Sequence, residues 1–201
     1  MNQMKKTTTS TNKKELLIEE AKKMLLDDNY KIWVRGSSNW DWSLSSYSTP
    51  CEINNVYDFW GLFNNFNNLK YMYYHIFLMK IPIAPMYEDR KNNSILSVKH
   101  TIENGKIYFS KLSQLFVSGK LLIKNASVVN GIAFTPKSHF ILIKLWLNTK
   151  SDISNEFKKL PINIEFKVTE TDHKEITEND RGKITPPNKK QLLMKKKKFF
   201  Y

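Results

Sequence analysis

Two segments rich in β-forming residues lie side by side late in the chain, and they restrict its possible folds more than any other feature. They are Val128–Phe134 and Phe140–Leu147, joined by a bend at Thr135-Pro136. Runs of this kind, bounded by turn residues, predict strands. A further strand is predicted over 162–168, so at least three strands fall late in the chain. Because helical patterns are interleaved with them, we predict an α+β fold.

Periodicity and turn residues predict the remaining elements. Helices are expected over 13–26, from Val56 onwards, over 107–116 with an end near Gly119, and over 155–160. Asn54 or Asn55 is the expected cap of the second helix. Strands are expected over 30–34, 73–80 and 95–102.

The charge of the chain is concentrated at its ends. Of 201 residues, 32 are Lys or Arg and 19 are Asp or Glu, which gives a formal charge of +13. Ten lysines lie in residues 1–14 and 187–201, where there is no acid, so the body carries only +3. A basic balance indicates a polyanionic partner. We expect a disordered basic tail over 1–12, a domain over 13–170, and a basic C-terminal loop with a last strand over 171–201.

Several classes of function have little support in the sequence. Cys51 is the single cysteine, which excludes an intramolecular disulfide framework and a multi-thiolate metal site. The four histidines are scattered, and there is no glycine-rich phosphate loop. The longest apolar stretch contains Lys144 and is far shorter than a membrane span of about 20 residues. We therefore expect a cytoplasmic, monomeric protein that is not an enzyme and needs no cofactor.

The segment IPIAPMYEDRKN places an aromatic residue, Tyr87, next to a carboxylate, Glu88, in a proline-entered loop. It is compatible with a solvated turn. It is also compatible with a site that recognises a base, because an aromatic face stacks on a base and a carboxylate accepts two N–H bonds from guanine. Trp40 and Trp42 lie in another apparent loop, which favours the second interpretation.

The motifs VYDFW and PMYED, followed by a tryptophan in a late strand, resemble the translation initiation factor 4E family, which binds the messenger-RNA cap. The resemblance covers about Tyr30 to Val168. It implies a curved, mostly antiparallel sheet with helices on its convex face and a cap slot on its concave face. The implied ligand is the 7-methylguanosine triphosphate end of capped mRNA, and the implied role is translation initiation or its regulation.

The resemblance also implies roles for individual residues. Trp42, or alternatively Trp40, and Tyr87 would sandwich the base, although tyrosine offers a smaller π-face than the family's tryptophan. Glu88 would accept hydrogen bonds from guanine, and Trp146 would approach the methyl group. A cation between two aromatic faces gains attraction beyond ordinary stacking.

Phosphate contacts are implied less directly. Lys137 aligns with the family's arginine, whereas Leu142 occupies the position of its lysine. Lys144, on the same strand face, is the expected replacement for that lysine. Ser97 stands where the family has a basic residue, and Lys99 is its expected substitute. RNA beyond the cap is expected to meet four lysines that equally fit a solvated tail or a nuclear-import signal: Lys195, Lys196, Lys197 and Lys198.

A partner site is implied on the convex face, where a peptide helix from a scaffold factor or inhibitor would bind. Its expected residues are Val56, Trp60, Leu112 and Leu115. Core burial, with Trp60 at its boundary, is the alternative. Two other functions remain open: an interaction module or translational repressor with a degraded cap pocket, and a general single-strand RNA binder that uses its lysine tails.

Overall fold

Seven strands form one sheet in a computed structural model that describes residues 4–122, 124, 126–157 and 171–181. The strand order is β2-β1-β3-β5-β6-β4-β7, and every neighbouring pair is antiparallel. The strands are β1 (Leu25–Gly36), β2 (Ser48–Asn55), β3 (Tyr74–Lys80), β4 (Ser94–His100), β5 (Val129–Pro136), β6 (Ile141–Leu147) and β7 (Thr171–Glu175). This sheet and its helices confirm the predicted α+β class.

Five helices accompany the sheet in the described part of the chain. They are α1 (Met4–Lys23), α2 (Val56–Asn64), α3 (Ile102–Val117), α4 (Ser154–Phe157) and α5 (Glu178–Arg181). The side chain of Asn55 accepts a hydrogen bond from the Asp58 amide at 2.9 Å, which caps α2 at one of the two predicted residues. Thr101 caps α3 in the same way through the Asn104 amide, at 3.3 Å.

Several boundaries differ from the prediction. The first helix begins at Met4, within the segment predicted to be a disordered tail, and ends at Lys23. Leu25 and Leu26 belong to β1, because this strand extends to pair with β2, a strand that was not predicted. The third helix begins earlier, at its Thr101 cap. The predicted strand over 162–168 and the end of the predicted helix over 155–160 lie outside the described residues. The domain limits at 12 and 170 stay predictions.

Alternation along the strands separates the two faces of the sheet. One face carries the larger apolar core, to which α2 and α3 contribute, and we call it the helix-covered face. On the opposite, open face, a smaller cluster includes Phe77, Met79 and Trp146, with Trp33, Tyr47 and Tyr87 packed against it. The strands therefore present their other row of side chains, both apolar and charged, on a face that is only partly filled.

Two helical glycines are expected to respond oppositely to alanine. A Cβ on Gly105 would lie 2.5 Å from Ile141 Cβ, whereas a Cβ on Gly61 would meet nothing within 4 Å. Gly61→Ala should stabilise the fold by about 0.5–1 kcal/mol through helix propensity. Gly105→Ala should destabilise it by about 1–3 kcal/mol through overpacking. Urea unfolding measures both changes, and equal effects would contradict the close packing of α3 on β6.

Candidate functional site

The loop between β3 and β4 is held by a buried asparagine. Asn92 donates from Nδ2 to the carbonyl oxygens of Ala84 and Met86, each at 2.9 Å. Asp89 accepts from the Ala84 amide at 2.9 Å, and Asn130 Nδ2 on β5 donates to Asn92 Oδ1 at 3.0 Å. Since these bonds fix both ends of the loop, the segment that bears Tyr87 and Glu88 has a defined backbone.

An arginine from α5 completes this support. Arg181 Nη1 donates to the carbonyl oxygens of Tyr87 at 2.6 Å and Asp89 at 3.1 Å, and its Nη2 donates to the Asn92 carbonyl at 2.8 Å. Three carbonyls of one loop thus meet one guanidinium, whose planar fork suits such recognition. The loop is clamped from β5 on one side and from α5 on the other.

Tyr87 and Glu88 are half-buried on this loop. The Tyr87 ring lies 5.7 Å from the Trp146 ring, centroid to centroid, and the Lys174 ammonium lies 5.3 Å from the Tyr87 centroid. Among the described residues, no group donates a hydrogen bond to the Glu88 carboxylate. The predicted neighbours Tyr87 and Trp146 are therefore in contact, and the carboxylate beside them retains its acceptor capacity.

A pocket of about 600 Å³ opens beside Tyr87 on the open face. Residues of β4, β6 and β7 form most of its wall. The lining consists of Tyr87, Ile95, Ser97, Lys99, Phe140, Leu142, Lys144, Asp172 and Lys174. Two of the three lysines predicted to bind phosphate thus line one cavity, together with Lys174, which was not predicted.

Lys144 is the most buried of these lysines. Burial lowers the pKa of its ammonium, and the charges of Lys137 and Lys174 lower it further. No carboxylate of the described residues forms an ion pair with it. Lys144 is half-buried, and a cation shielded from water without an acidic partner is costly, so this part of the pocket favours an anion. Lys137 lies in the exposed turn between β5 and β6, and the Lys99 ammonium lies 5.0 Å from the centroid of Phe140.

Trp42 lies on the other side of the open face, in the segment that follows β1. The Arg35 guanidinium stacks on it at 3.6 Å from the ring centroid, and the His75 ring lies 5.9 Å from it. Trp42 is 48% exposed and Trp40 is 46% exposed. Because Trp42 packs on Arg35 of β1, the Trp42 ring is attached to the sheet. The exposed part of the Trp42 ring leaves room for a ligand.

His75 is neutral near pH 7. Burial is the main cause that lowers its pKa to about 3, and the positive charges of Lys137, Arg35 and Lys144 act in the same direction. His75 thus lies within electrostatic reach of Arg35 at one end of the open face and of Lys144 at the other.

Tyr47 connects the two loops. Its ring contacts Trp33 at 6.2 Å and Phe77 at 5.7 Å between centroids, and its hydroxyl donates to the Pro85 carbonyl at 3.4 Å. Burial raises the pKa of Tyr47 to about 12, so its hydroxyl remains protonated. Tyr47 thus packs against the sheet and links the segment that follows β1 to the loop that carries Tyr87.

The predicted partner site is wrong in one residue. Leu112 is fully buried in the larger core and presents no surface, because α3 turns this position toward the sheet. Leu115 and Val56 are half-buried, and Trp60 is 38% exposed with its ring against Phe59. Three of the four predicted residues therefore reach the surface of the helix-covered face.

Sequence reasoning missed Arg35, Tyr47, Lys174 and Arg181. The period-2 alternation of β1 places Arg35 on the face of Trp33, and that signal was available. Nothing local indicated that Arg181 would clamp a loop so distant in sequence. Lys195 to Lys198 lie outside the described residues, and their predicted RNA contacts stay predictions.

No helix in the described ranges is long and apolar enough to cross a membrane. No group of three or more His, Cys, Asp or Glu side chains in those ranges is arranged to hold a metal ion.

The fold and the site together define a class: a one-sheet α+β domain with helices on one face and an aromatic, lysine-lined pocket on the other. The sequence matches the family model described as Eukaryotic initiation factor 4E over residues 25–184. Since this match covers most of the chain, the protein belongs to that family. The comparison with curated proteins gave no match.

Solved structures of the same family share the fold. C. elegans eIF4E-3, in complex with the 4E-binding protein Mextli and a cap analog, matches with a TM-score of 0.58 and 16% identity over 68% of this chain and 82% of that chain. A schistosome eIF4E complexed with m7GpppA and 4E-BP gives 0.62 and 15% over 82% and 93%. Ascaris suum eIF4E-3 with m7G cap gives 0.54 and 18% over 62% and 73%.

Proposed function

We propose that this protein binds the 7-methylguanosine cap of mRNA and acts in translation initiation or its regulation. The observation that carries the proposal is the clamped loop, on which Tyr87 stands beside a Glu88 carboxylate that no described residue engages. Family membership supports it, and similar structures were solved with cap ligands. The proposed action is binding without catalysis.

Base recognition is assigned to both loops. Trp42, rather than Trp40, stacks on one side of the methylated guanine, because the Arg35 contact joins Trp42 to the sheet. Tyr87 stacks on the other side, and Glu88 accepts the N1–H and N2–H bonds. Methylation at N7 makes the base cationic, which strengthens both donors and the attraction to aromatic faces. Trp146, in contact with Tyr87, is the proposed neighbour of the methyl group.

Phosphate binding is assigned to the lysine-lined pocket and the adjacent turn. A triphosphate would supply the anion that the half-buried Lys144 lacks, with Lys137 and Lys99 as further cations. Contacts to phosphates make affinity depend on salt. The four lysines from Lys195 to Lys198 are proposed to continue this track along the RNA.

A partner helix is proposed for the helix-covered face. Two of the similar structures contain 4E-binding proteins. Trp60, Val56 and Leu115 offer the exposed or half-exposed apolar surface that an amphipathic helix needs. Translation takes place in the cytoplasm, which is the location we propose for this chain.

The proposal is tested by titrating the protein with 7-methyl-GTP, GTP and ATP while tryptophan fluorescence is recorded. We expect the order 7-methyl-GTP, GTP, ATP from tightest to weakest. The difference in affinity between 7-methyl-GTP and GTP measures the effect of the positive charge on the base. The difference between GTP and ATP measures the effect of the Glu88 carboxylate, which is proposed to bind guanine. A preference for 7-methyl-GTP over GTP below a few-fold would contradict cap recognition. Binding that is lost on removal of 182–201 and is insensitive to Trp42→Ala would support a general RNA binder instead.

A further inference from the structure

Arg35 is a buried cation at the back of the proposed slot. The residue is 1% exposed, and its guanidinium lies 3.6 Å from the centroid of the Trp42 ring. Its Nε donates to the Asp41 carbonyl at 2.8 Å, and its Nη2 donates to the Asn39 carbonyl. The side chain thus supports the loop that carries Trp42 and covers one face of that ring.

Burial lowers the pKa of the Arg35 guanidinium, and Asp41, which attracts it electrostatically, acts to raise that pKa but forms no ion pair with it. Within the described ranges, no carboxylate forms an ion pair with Arg35, and the Asp41 carboxylate instead accepts from the Ser43 amide at 2.8 Å. His75, which pairs with Arg35 across β1 and β3, is neutral and adds no negative charge. The negative face of the Trp42 ring, 3.6 Å away, therefore stabilises the positive charge of the guanidinium.

A ring that already binds one cation attracts a second one less. The cation–π interaction comes from the negative face of the ring, and a cation on one face offsets that potential on the other. A base stacked on the outer face of Trp42 would lie about 7 Å from the guanidinium, since stacked groups are separated by about 3.5 Å. At this distance, in a partly desolvated slot, two positive charges repel each other appreciably.

A cation also contacts the Tyr87 ring, and we expect it to repel a cationic base less strongly. The Lys174 ammonium lies 5.3 Å from the Tyr87 centroid, but it is half-exposed and pairs with the Asp180 carboxylate at 2.7 Å. Its charge is therefore partly offset and screened by water. Of the two cations that contact the stacking rings, Arg35 is therefore the one whose charge acts more fully on the ligand.

We propose that Arg35 is a specificity-determining residue, which reduces the preference of the slot for a cationic, N7-methylated base over neutral guanine. This inference rests on the proposed cap-binding function. Its physical basis is that Arg35 penalises only the charged ligand, whereas the stacking and hydrogen bonds of neutral guanine are little affected. The slot would thus accept unmethylated guanine ends more readily than one backed by an uncharged side chain.

The test is the ratio of the GTP and 7-methyl-GTP dissociation constants in Arg35→Gln. Glutamine keeps a planar amide for packing on Trp42 and N–H donors for the loop carbonyls, but it removes the charge. We expect the ratio to rise about fivefold. Arg35→Met should change the ratio in the same direction, and Arg35→Lys, which keeps the charge, should stay nearer the wild-type ratio.

Lys31→Gln is the matched control, because it removes a cation from the same strand that is already paired with Glu52 at 3.0 Å. Its ratio should remain that of the wild type. If Arg35 only supports the loop, both dissociation constants rise together in Arg35→Gln and the ratio stays constant, which would overturn the proposal. Failure of the cap-binding function itself is seen separately, as a lack of preference for 7-methyl-GTP in both the wild type and Arg35→Gln.

Discussion

Glu88→Gln is expected to weaken binding of 7-methyl-GTP about 10- to 100-fold, which corresponds to the ~1.5–3 kcal/mol of a hydrogen bond to a charged group. In the proposed complex, the Glu88 carboxylate offers two acceptors to two guanine N–H groups. Glutamine replaces one acceptor with an NH₂ group that faces a donor, so one bond is removed and the two donors oppose each other. Isothermal titration calorimetry measures the change directly.

The effect should be specific for guanine. ATP, which has no paired N–H donors of this geometry, should bind the variant and the wild type alike. Glu103→Gln, a carboxylate exposed in the first turn of α3, is the matched control and should leave all affinities unchanged. Wild-type affinity for 7-methyl-GTP in Glu88→Gln would show that the carboxylate does not read the base.

Leu112→Ala is expected to destabilise the fold by about 2–5 kcal/mol. Leu112 is completely buried in the larger core, where α3 packs on the sheet, so its removal leaves a cavity that the surrounding strands fill only in part. Urea unfolding followed by circular dichroism gives the free energy of unfolding. The cap ligand should still bind to the folded fraction, because the change lies on the helix-covered face.

Leu16→Ala makes the same chemical change at a side chain that is 63% exposed, and it should alter the free energy of unfolding by less than about 0.5 kcal/mol. A Leu112→Ala variant as stable as this control would place Leu112 at the surface and restore it to the proposed partner site. Comparison of the two variants thus shows whether Leu112 belongs to the core or to the proposed partner site.

Local signals were sufficient for much of the fold. The paired strands β5 and β6 and the asparagine cap of α2 follow from patterns within a few residues, and both were predicted. The strand β2 was missed because its polar sequence, with Pro50, gives no strand signal by itself. It forms by pairing with β1, and a contact between distant segments is not visible in either segment alone.

The residues of the candidate site can also be divided into those that the sequence indicated and those that depend on contacts between distant segments. Tyr87 and Trp146 were assigned by resemblance, and the structure brings their rings together. Leu112 was assigned to the partner surface by resemblance as well, but the side of α3 that carries it is covered by the sheet. Arg181 was missed because its partners lie in another part of the chain, and its importance comes from where its guanidinium ends, which no spacing rule gives.

The hydrogen bonds from Arg181 to the β3–β4 loop affect the order in which parts of the structure can form during synthesis. This residue binds the carbonyl of Tyr87 across 94 positions of sequence, so the loop gains its last support only after the chain has been synthesised through α5. The larger core draws on strands and helices that emerge earlier. During synthesis, the residues of the larger core are thus added to the chain before the residue that completes the support of this loop.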